Sequence, residues 1–157
     1  CHNQYIAQLI LEIKIMTQST FSPPSDAFRL CITVVPDDID VLGHVNNVIY
    51  LRWVQNLAIA HWQKAADPDD LENLVWVVVR HEIDYKRSAQ LDDEILGLTW
   101  VGTHARRTFE RYSQFRRTSD NKVLAQALSV WSPVNRHTMQ ATDVSDSIIL
   151  SFPASVT

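Results

Sequence analysis

A stretch in the first half of the chain, residues 48–66, restricts the fold more than any other feature. It contains no glycine or proline, and apolar side chains such as Trp53, Leu57 and Trp62 occupy most of its helical faces. At about 1.5 Å per residue, such a helix is roughly 30 Å long. Because a helix that is apolar nearly all round must be buried, the rest of the chain is expected to cover one side of it and a second subunit the other.

Five strand-like segments can form a sheet that covers the helix. One precedes the helix, at residues 28–35, and four follow it, at residues 74–87, 94–104, 108–118 and 122–134. Turn-forming residues at 119–122 predict a hairpin between the last two. In the segment after the helix, alternation predicts one shared face for Val75, Val77, Val79, His81, Ile83 and Tyr85. An α+β fold, with an antiparallel sheet of about five strands wrapped around one long central helix, is the economical packing.

The chain length of 157 residues predicts a single domain. We assign residues 27–157 to it, with a last short helical turn at 143–149, and residues 1–26 to an N-terminal tail and linker. Tyr5, Ile6, Leu9, Ile10 and Ile13 would line one face of an amphipathic segment in that tail. Alternatively, translation begins at Met16 and residues 1–15 are an upstream extension.

Composition excludes several classes of protein. The formal net charge of −4 opposes an approach to nucleic acid, and no apolar run reaches the roughly 18 residues of a membrane span. Two cysteines do not form a disulfide framework or a metal site, and Cys31 is expected to be a small buried residue within its strand. These features predict a cytoplasmic protein that needs no metal and no cofactor.

The polar residues with chemical potential stand immediately before the helix. They are Asp40, Gly43, His44, Asn46 and Asn47. A helix N-terminus offers free N–H groups and the positive end of a dipole, so a carboxylate here would lie beside donors for a developing oxyanion. The alternative is that Asp40 is only a loop residue or a helix cap, a role for which Asn46 and Asn47 are also suited.

A resemblance to a known family rests on this motif, written Asp40-x-x-Gly43-His44-Val45-Asn46-Asn47-x-x-Tyr50. The pattern resembles that of hotdog-fold acyl thioesterases, above all the groups similar to 4-hydroxybenzoyl-CoA thioesterase and to bacterial acyl-CoA thioesterases. The resemblance extends over about residues 28–149. It implies a hotdog fold, hydrolysis of an acyl-CoA or acyl-carrier-protein thioester to the free acid, and a homodimer or dimer of dimers.

The resemblance also implies roles for individual residues. Asp40 matches the catalytic carboxylate, acting as nucleophile or as general base for water. The backbone N–H of Asn47 matches the group that polarises the thioester carbonyl, and His44 matches a supporting histidine whose alternative is a structural hydrogen bond. The remaining motif residues are expected to line the substrate site: Gly43, Val45, Asn46 and Tyr50.

A local reversal of charge follows in the second half of the chain. Residues 104–117 hold five arginines and one Glu110. Arg106 and Arg107 are candidates to clamp the phosphates of coenzyme A, because guanidinium geometry suits phosphate, and Lys86 and Arg87 are second candidates. The alternative is a solvated strand face.

Other polar residues are expected to be structural. Asp38 is predicted to be solvated or to brace the loop, and His61 and His81 to be satisfied core histidines, with His81 the better candidate for a pocket wall.

Three rival functions remain open at this point, one of which is a subunit that only stabilises a larger assembly. A hotdog-fold hydratase or dehydratase would act on enoyl thioesters and release no free thiol. A non-catalytic acyl-CoA-binding module would bind its ligand without turnover.

Overall fold

The structure is a computed structural model that describes residues 2–154, with side chains described for residues 4–13 and 21–154. The helices are α1 (His2–Thr20), α2 (Asn47–Ala65), α3 (Pro68–Asn73) and α4 (Asp146–Ser151), and a 3-10 turn spans Pro36–Asp38. The strands are β1 (Phe28–Thr33), β2 (Leu74–Tyr85), β3 (Glu94–His104), β4 (Phe109–Arg117) and β5 (Val123–Asn135). They form one antiparallel sheet in the order β1-β3-β4-β5-β2. The predicted α+β hotdog fold is confirmed.

Helix α2 lies across the sheet and buries one face against it. The buried side chains on this face are Tyr50, Trp53, Val54, Leu57 and Ala58. Gly97 of β3 permits close contact, since a Cβ there would lie 3.0 Å from Leu57 Cδ1.

The opposite face of α2 is open in the single chain, where Val48 is 64% and Ile59 51% exposed. This is the arrangement expected of a single sheet, which covers only one side of a helix and leaves the other side free for a second subunit.

Strand β2 departs from the alternation read in the sequence. Its pairing with β5 shifts between Val78 and Arg80, which leaves Val79 as a bulge. Trp76 contacts Trp62 of α2, and Tyr85 contacts Tyr50 of the same helix, so both face α2 although their numbers differ in parity. An extra residue in one strand reverses the side-chain phase beyond it, and the predicted single face for residues 75–85 is wrong for this reason.

The sheet register separates two ends of the molecule. Thr33 pairs with Glu94, and Tyr85 pairs with Ala125, at the end that also carries the loop leading into α2. The β3–β4 turn and the beginning of β2 lie at the opposite end, where Leu74 pairs with Asn135. This separation decides which candidate site residues can meet within one chain.

The N-terminal region is helical up to Thr20, which leaves residues 21–27 as the connection between α1 and β1. The apolar side chains from Tyr5 to Ile13 are exposed. Beyond the helix, the Gln114 side-chain amide donates to the carbonyl of Phe21 at 3.0 Å, which holds the linker on the outer face of the sheet.

Cys31 is exposed, contrary to expectation, because it points to the outer side of the edge strand β1. Of the helices within the described residues, none combines the length and apolarity needed to cross a bilayer.

Candidate active site

The loop that enters α2 is a tight turn held by its own backbone. Ile39 and Val45 form an isolated antiparallel bridge. Inside it, the N–H of Asp40 donates to His44 O at 2.9 Å, and the N–H of Gly43 donates to Asp40 O at 3.0 Å. Gly43 has φ +81°, a left-handed conformation that a glycine adopts at little cost. The turn thus places Asp40 and His44 next to each other, where its two ends meet.

Asp38 braces this loop, as predicted. It is 2% exposed, and its Oδ2 accepts from the N–H of Val35 at 3.1 Å. Its Oδ1 pairs with Arg52 of α2, and its backbone carbonyl accepts from the N–H of Asn46 at 2.8 Å. Asp38 therefore ties the loop to the helix and is committed to structural contacts.

The first turn of α2 leaves one donor unused. Asn46 is the N-cap, and its side-chain oxygen accepts from the N–H of Val48 at 3.1 Å. The N–H of Asn47, the first helical residue, donates to no acceptor among residues 2–154. An unpaired N–H in the first turn, at the positive end of the helix dipole, is suited to bind an oxyanion.

Two tyrosines fix the helix end against the neighbouring strand. The buried Tyr50 Oη accepts from the N–H of Ala89 at 3.2 Å, and Tyr85 Oη donates to the carbonyl of Asn47 at 3.1 Å. Burial raises the pKa of both phenols, so both remain protonated at neutral pH. In addition, the N–H of Val45 donates to Ala89 O at 2.9 Å.

Asp40 is half-buried at the wall of an open pocket of about 370 Å³. Its Oδ1 accepts from the N–H of Leu42 at 2.8 Å. Within the part of the chain that the structure describes, no cation forms an ion pair with it. This pocket, termed the Asp40 cleft, is lined by Asp40, Leu42, His44, Val45, Asn46, Asn47, Tyr50, Tyr85, Lys86, Arg87 and Ser88.

Most of the residues predicted for the site line this cleft. They are Asp40, His44, Val45, Asn46, Asn47 and Tyr50, while Gly43 shapes the loop behind them. Lys86 and Arg87, the second candidates for phosphate contact, also line it. Leu42, Tyr85 and Ser88 also line the cleft, and the sequence did not predict them for the site. For Tyr85 and Ser88 the only signal was their position at the end of the strand predicted over residues 74–87.

The arginines of the second half of the chain do not form one surface. Arg106 and Arg107 lie in the β3–β4 turn, at the end of the sheet away from the Asp40 cleft, where both approach Asp143. Arg117 pairs with Asp93 and Asp120, and Arg111 is buried. Within one chain, therefore, Arg106 and Arg107 do not meet Asp40.

The two internal histidines are engaged inside the fold. His81 Nδ1 is 2.8 Å from Ser129 Oγ, and His61 Nδ1 is 2.9 Å from a guanidinium nitrogen of Arg111. Among the described residues, no cluster of three or more His, Cys, Asp or Glu side chains could hold a metal ion.

Comparisons with known proteins agree with this architecture. The sequence matches the family model of the thioesterase-like superfamily over residues 34–151. That match begins just after β1 and takes in the loop, α2 and all later strands. The fold and the match define a thioester hydrolase of the hotdog class, and the chain belongs to the thioesterase-like superfamily. No curated protein matches the sequence.

Several solved structures are similar in fold. YbaW, a probable thioesterase from Escherichia coli, has a TM-score of 0.67 and 22% identity over 78% of this chain and 94% of its own. The Staphylococcus aureus hypothetical protein SAV2348, in complex with CoA, has a TM-score of 0.72 and 12% identity, covering 87% and 91%. A mutant 4-hydroxybenzoyl-CoA thioesterase with bound 4-hydroxybenzoyl-CoA has a TM-score of 0.74 and 16% identity over 82% of this chain and 99% of its own.

Proposed function

We propose that this protein hydrolyses an acyl-CoA thioester in the Asp40 cleft, releasing a carboxylic acid and CoA. The observation that carries the proposal is the meeting of a carboxylate without an ion pair and an unused helix N–H in one open cleft. The similar folds that hold CoA and 4-hydroxybenzoyl-CoA support the choice of thioester. An acyl-carrier-protein thioester contains the same reacting group.

Each residue then has a distinct task. Asp40 attacks the thioester carbonyl, or removes a proton from the attacking water, and the N–H of Asn47 stabilises the negative charge on the carbonyl oxygen. One such donor contributes about 3–4 kcal/mol of barrier reduction. His44, half-buried beside Asp40 in the loop, orients the reacting groups, and Val45, Asn46 and Tyr50 border the acyl group. A thiolate leaves readily, so a complete catalytic triad is not required.

The phosphates of CoA need cations near the cleft. Lys86 and Arg87 already line it and are the first choice. Arg106 and Arg107 remain candidates only if a second subunit brings its β3–β4 turn to the cleft. We propose a homodimer, or a dimer of dimers, for this reason and because one face of α2 is open.

Replacement of Asp40 tests the carboxylate. Asp40→Asn should lower the turnover of the best substrate by at least about 10²-fold, because general-base or nucleophilic assistance is lost, while the melting temperature stays close to that of the wild type. Turnover is followed as free thiol over a panel of acyl-CoA esters of graded length, aromatic ones included. Asp37→Asn is the matched control, since Asp37 is exposed in the same segment.

The outcome also separates the rivals. Wild-type turnover in Asp40→Asn would refute the mechanism. Conversion of an enoyl thioester without thiol release would indicate a hydratase, and ligand binding with no turnover of any ester would indicate a binding module.

Replacement of Asn47 by proline tests the backbone donor. Proline at the first helical position is favourable because that N–H has no intrahelical acceptor, and Asn46 has φ −59° and ψ 136°, which suit a residue before proline. Asn47→Pro should therefore fold and lose about 10²–10³ in turnover. Asn47→Ala retains the N–H and is the control. Equal turnover in the two variants would remove this N–H from the mechanism.

A further inference from the structure

A second cavity, of about 390 Å³, opens further along α2 and shares no lining residue with the Asp40 cleft. Ala58 lines it, eight positions after Tyr50 of the Asp40 cleft, or about 12 Å further along the helix axis. The volume is at the lower end of the range for small-molecule sites. We term it the Arg111 cavity, after the one buried cation in its wall.

Arg111 is 8% exposed and has only neutral partners. One guanidinium nitrogen, Nη1, donates to Thr99 Oγ1 at 3.2 Å and lies 2.9 Å from His61 Nδ1. Burial, together with the charges of Arg111 and Lys64, lowers the pKa of His61 to about 4, so its ring is neutral at pH 7.

Arg111 itself remains a cation. Burial lowers its pKa only to about 10. Within residues 2–154, no carboxylate forms an ion pair with it. A buried charge without a counter-charge is strongly unfavourable. The guanidinium in this wall is therefore suited to receive an anion.

Several aromatic side chains also line the wall. It contains Trp62, Trp76, Phe109, Trp131 and Phe152. The rings of Trp62 and Phe152 stack with centroids 5.6 Å apart, and the Arg111 guanidinium lies 5.9 Å from the centre of the Phe152 ring. Flat apolar groups are thus presented beside the buried cation, and an aromatic ring is the matching ligand group.

The other charged residues of the wall have partners elsewhere. Glu110 accepts from the N–H and the hydroxyl of Thr103, at 3.2 and 2.8 Å. The exposed Arg136 donates to the carbonyl of Leu71 at 3.3 Å. One buried positive charge remains, which matches a monoanion better than a phosphate dianion.

We propose that the Arg111 cavity binds a small aromatic carboxylic acid, with its carboxylate on the Arg111 guanidinium and its ring among the aromatic side chains. The planar guanidinium can donate two parallel hydrogen bonds to a carboxylate. The site goes beyond thioester hydrolysis and does not depend on it, because no residue of the Asp40 cleft takes part.

The test compares an acid with its uncharged counterpart on the full chain. Isothermal titration calorimetry with 1-naphthoate should show one site per chain, and 1-naphthamide should bind about 10- to 100-fold more weakly, the usual value of a charge-assisted hydrogen bond. Arg111→Met should weaken naphthoate binding by a similar factor, and Arg111→Lys should retain part of it.

Two controls locate the binding. Arg116→Met should bind naphthoate as the wild type does, since Arg116 is on the same strand but contacts Gln114 on the outer face. Asp40→Asn should also bind it normally.

Three results would overturn the proposal. They are the absence of naphthoate binding to the wild type, equal affinities for the acid and the amide, and binding that survives Arg111→Met but is lost in Arg87→Met. If Arg111→Met does not fold, Arg111→Lys and Arg87→Met replace it: normal naphthoate binding in Arg111→Lys together with its loss in Arg87→Met would also overturn the proposal.

Discussion

Two aspartates separated by one residue do different work in this chain. Asp38 is almost fully buried, and both of its carboxylate oxygens have structural partners, the N–H of Val35 for one and Arg52 of α2 for the other. Asp40 is half-buried, and within the described residues only the N–H of Leu42 donates to its carboxylate. Replacement of Asp40, which faces the cleft, should therefore destabilise the fold less than replacement of Asp38.

His61 makes the stability of the fold depend on pH. Its pKa is lowered from 6.5 to about 4, first by burial and then by the cations Arg111 and Lys64. Between these two pH values, His61 binds a proton in the unfolded chain but not in the folded chain. The free energy of unfolding must therefore fall as the pH falls through this window, and it is unaffected by His61 above about pH 7. Because the ring is partly exposed, solvent weakens the effect, and we expect the free energy of unfolding to fall by about 2 kcal/mol across this window.

Urea unfolding between pH 7.5 and pH 4.5 measures this loss. His61→Gln keeps a hydrogen-bond acceptor for Arg111 but does not titrate, so its stability should vary less with pH. His81→Gln should remove a further part, because burial also lowers the pKa of His81. Identical pH profiles for the wild type and His61→Gln would contradict the assignment.

At the scale of elements, the contact between α2 and the sheet depends on a strand residue without a side chain. Gly97 of β3 faces Leu57, which is fully buried in the core. A Cβ at position 97 would lie 3.0 and 3.1 Å from the two Leu57 methyl carbons and 3.4 Å from the carbonyl oxygen of Leu30. Neither neighbour can retreat, since one is packed on all sides and the other belongs to the backbone.

Gly97→Ala should consequently destabilise the fold by about 1–3 kcal/mol, the usual cost of overpacking a core. Leu57→Ala alone should cost about 2–5 kcal/mol. In the double variant the new methyl group occupies space vacated by the leucine, so the combined loss should be smaller than the sum. Denaturant unfolding of the four proteins measures the coupling. Strict additivity would show that the two side chains do not compete for the same space.

At the scale of the whole molecule, the sequence was sufficient for the architecture and for most of the cleft. The absence of glycine and proline from residues 48–66 predicted the helix, and the spacing of the strand-like segments predicted the sheet around it. The Asp40 motif predicted residues that do line one pocket, because they are close in sequence and a turn joins them.

What failed depended on contacts between distant segments. The bulge at Val79 is a property of the pairing of β2 with β5, so no local pattern reveals it. Cys31 is exposed because β1 is an edge strand, which the strand order decides. Tyr85 contacts Asn47 only in the folded chain, because the two residues are 38 positions apart in the sequence. The buried cation Arg111 likewise could not be told apart from its exposed neighbours in an arginine-rich segment.

The two edges of the sheet differ in a way that predicts the mode of assembly. β1 is short, with six residues, whereas β2 has twelve and exposes Val77 and Val79 at 47% and 58%. A long edge strand with exposed apolar residues is a template for pairing with another chain. We therefore expect two copies to associate along β2, next to the open face of α2.

Light scattering coupled to size exclusion should accordingly give at least twice the 18.0 kDa mass of one chain. Val77→Lys combined with Val79→Lys should shift the protein towards the mass of a single chain, because charged side chains on an edge oppose strand pairing. Val35→Lys is the matched control, an equally exposed valine outside β2. A wild-type chain that elutes with the mass of a monomer at all concentrations would exclude the dimer. The Asp40 cleft would then have to bind the whole of its substrate with the cations of its own chain, Lys86 and Arg87.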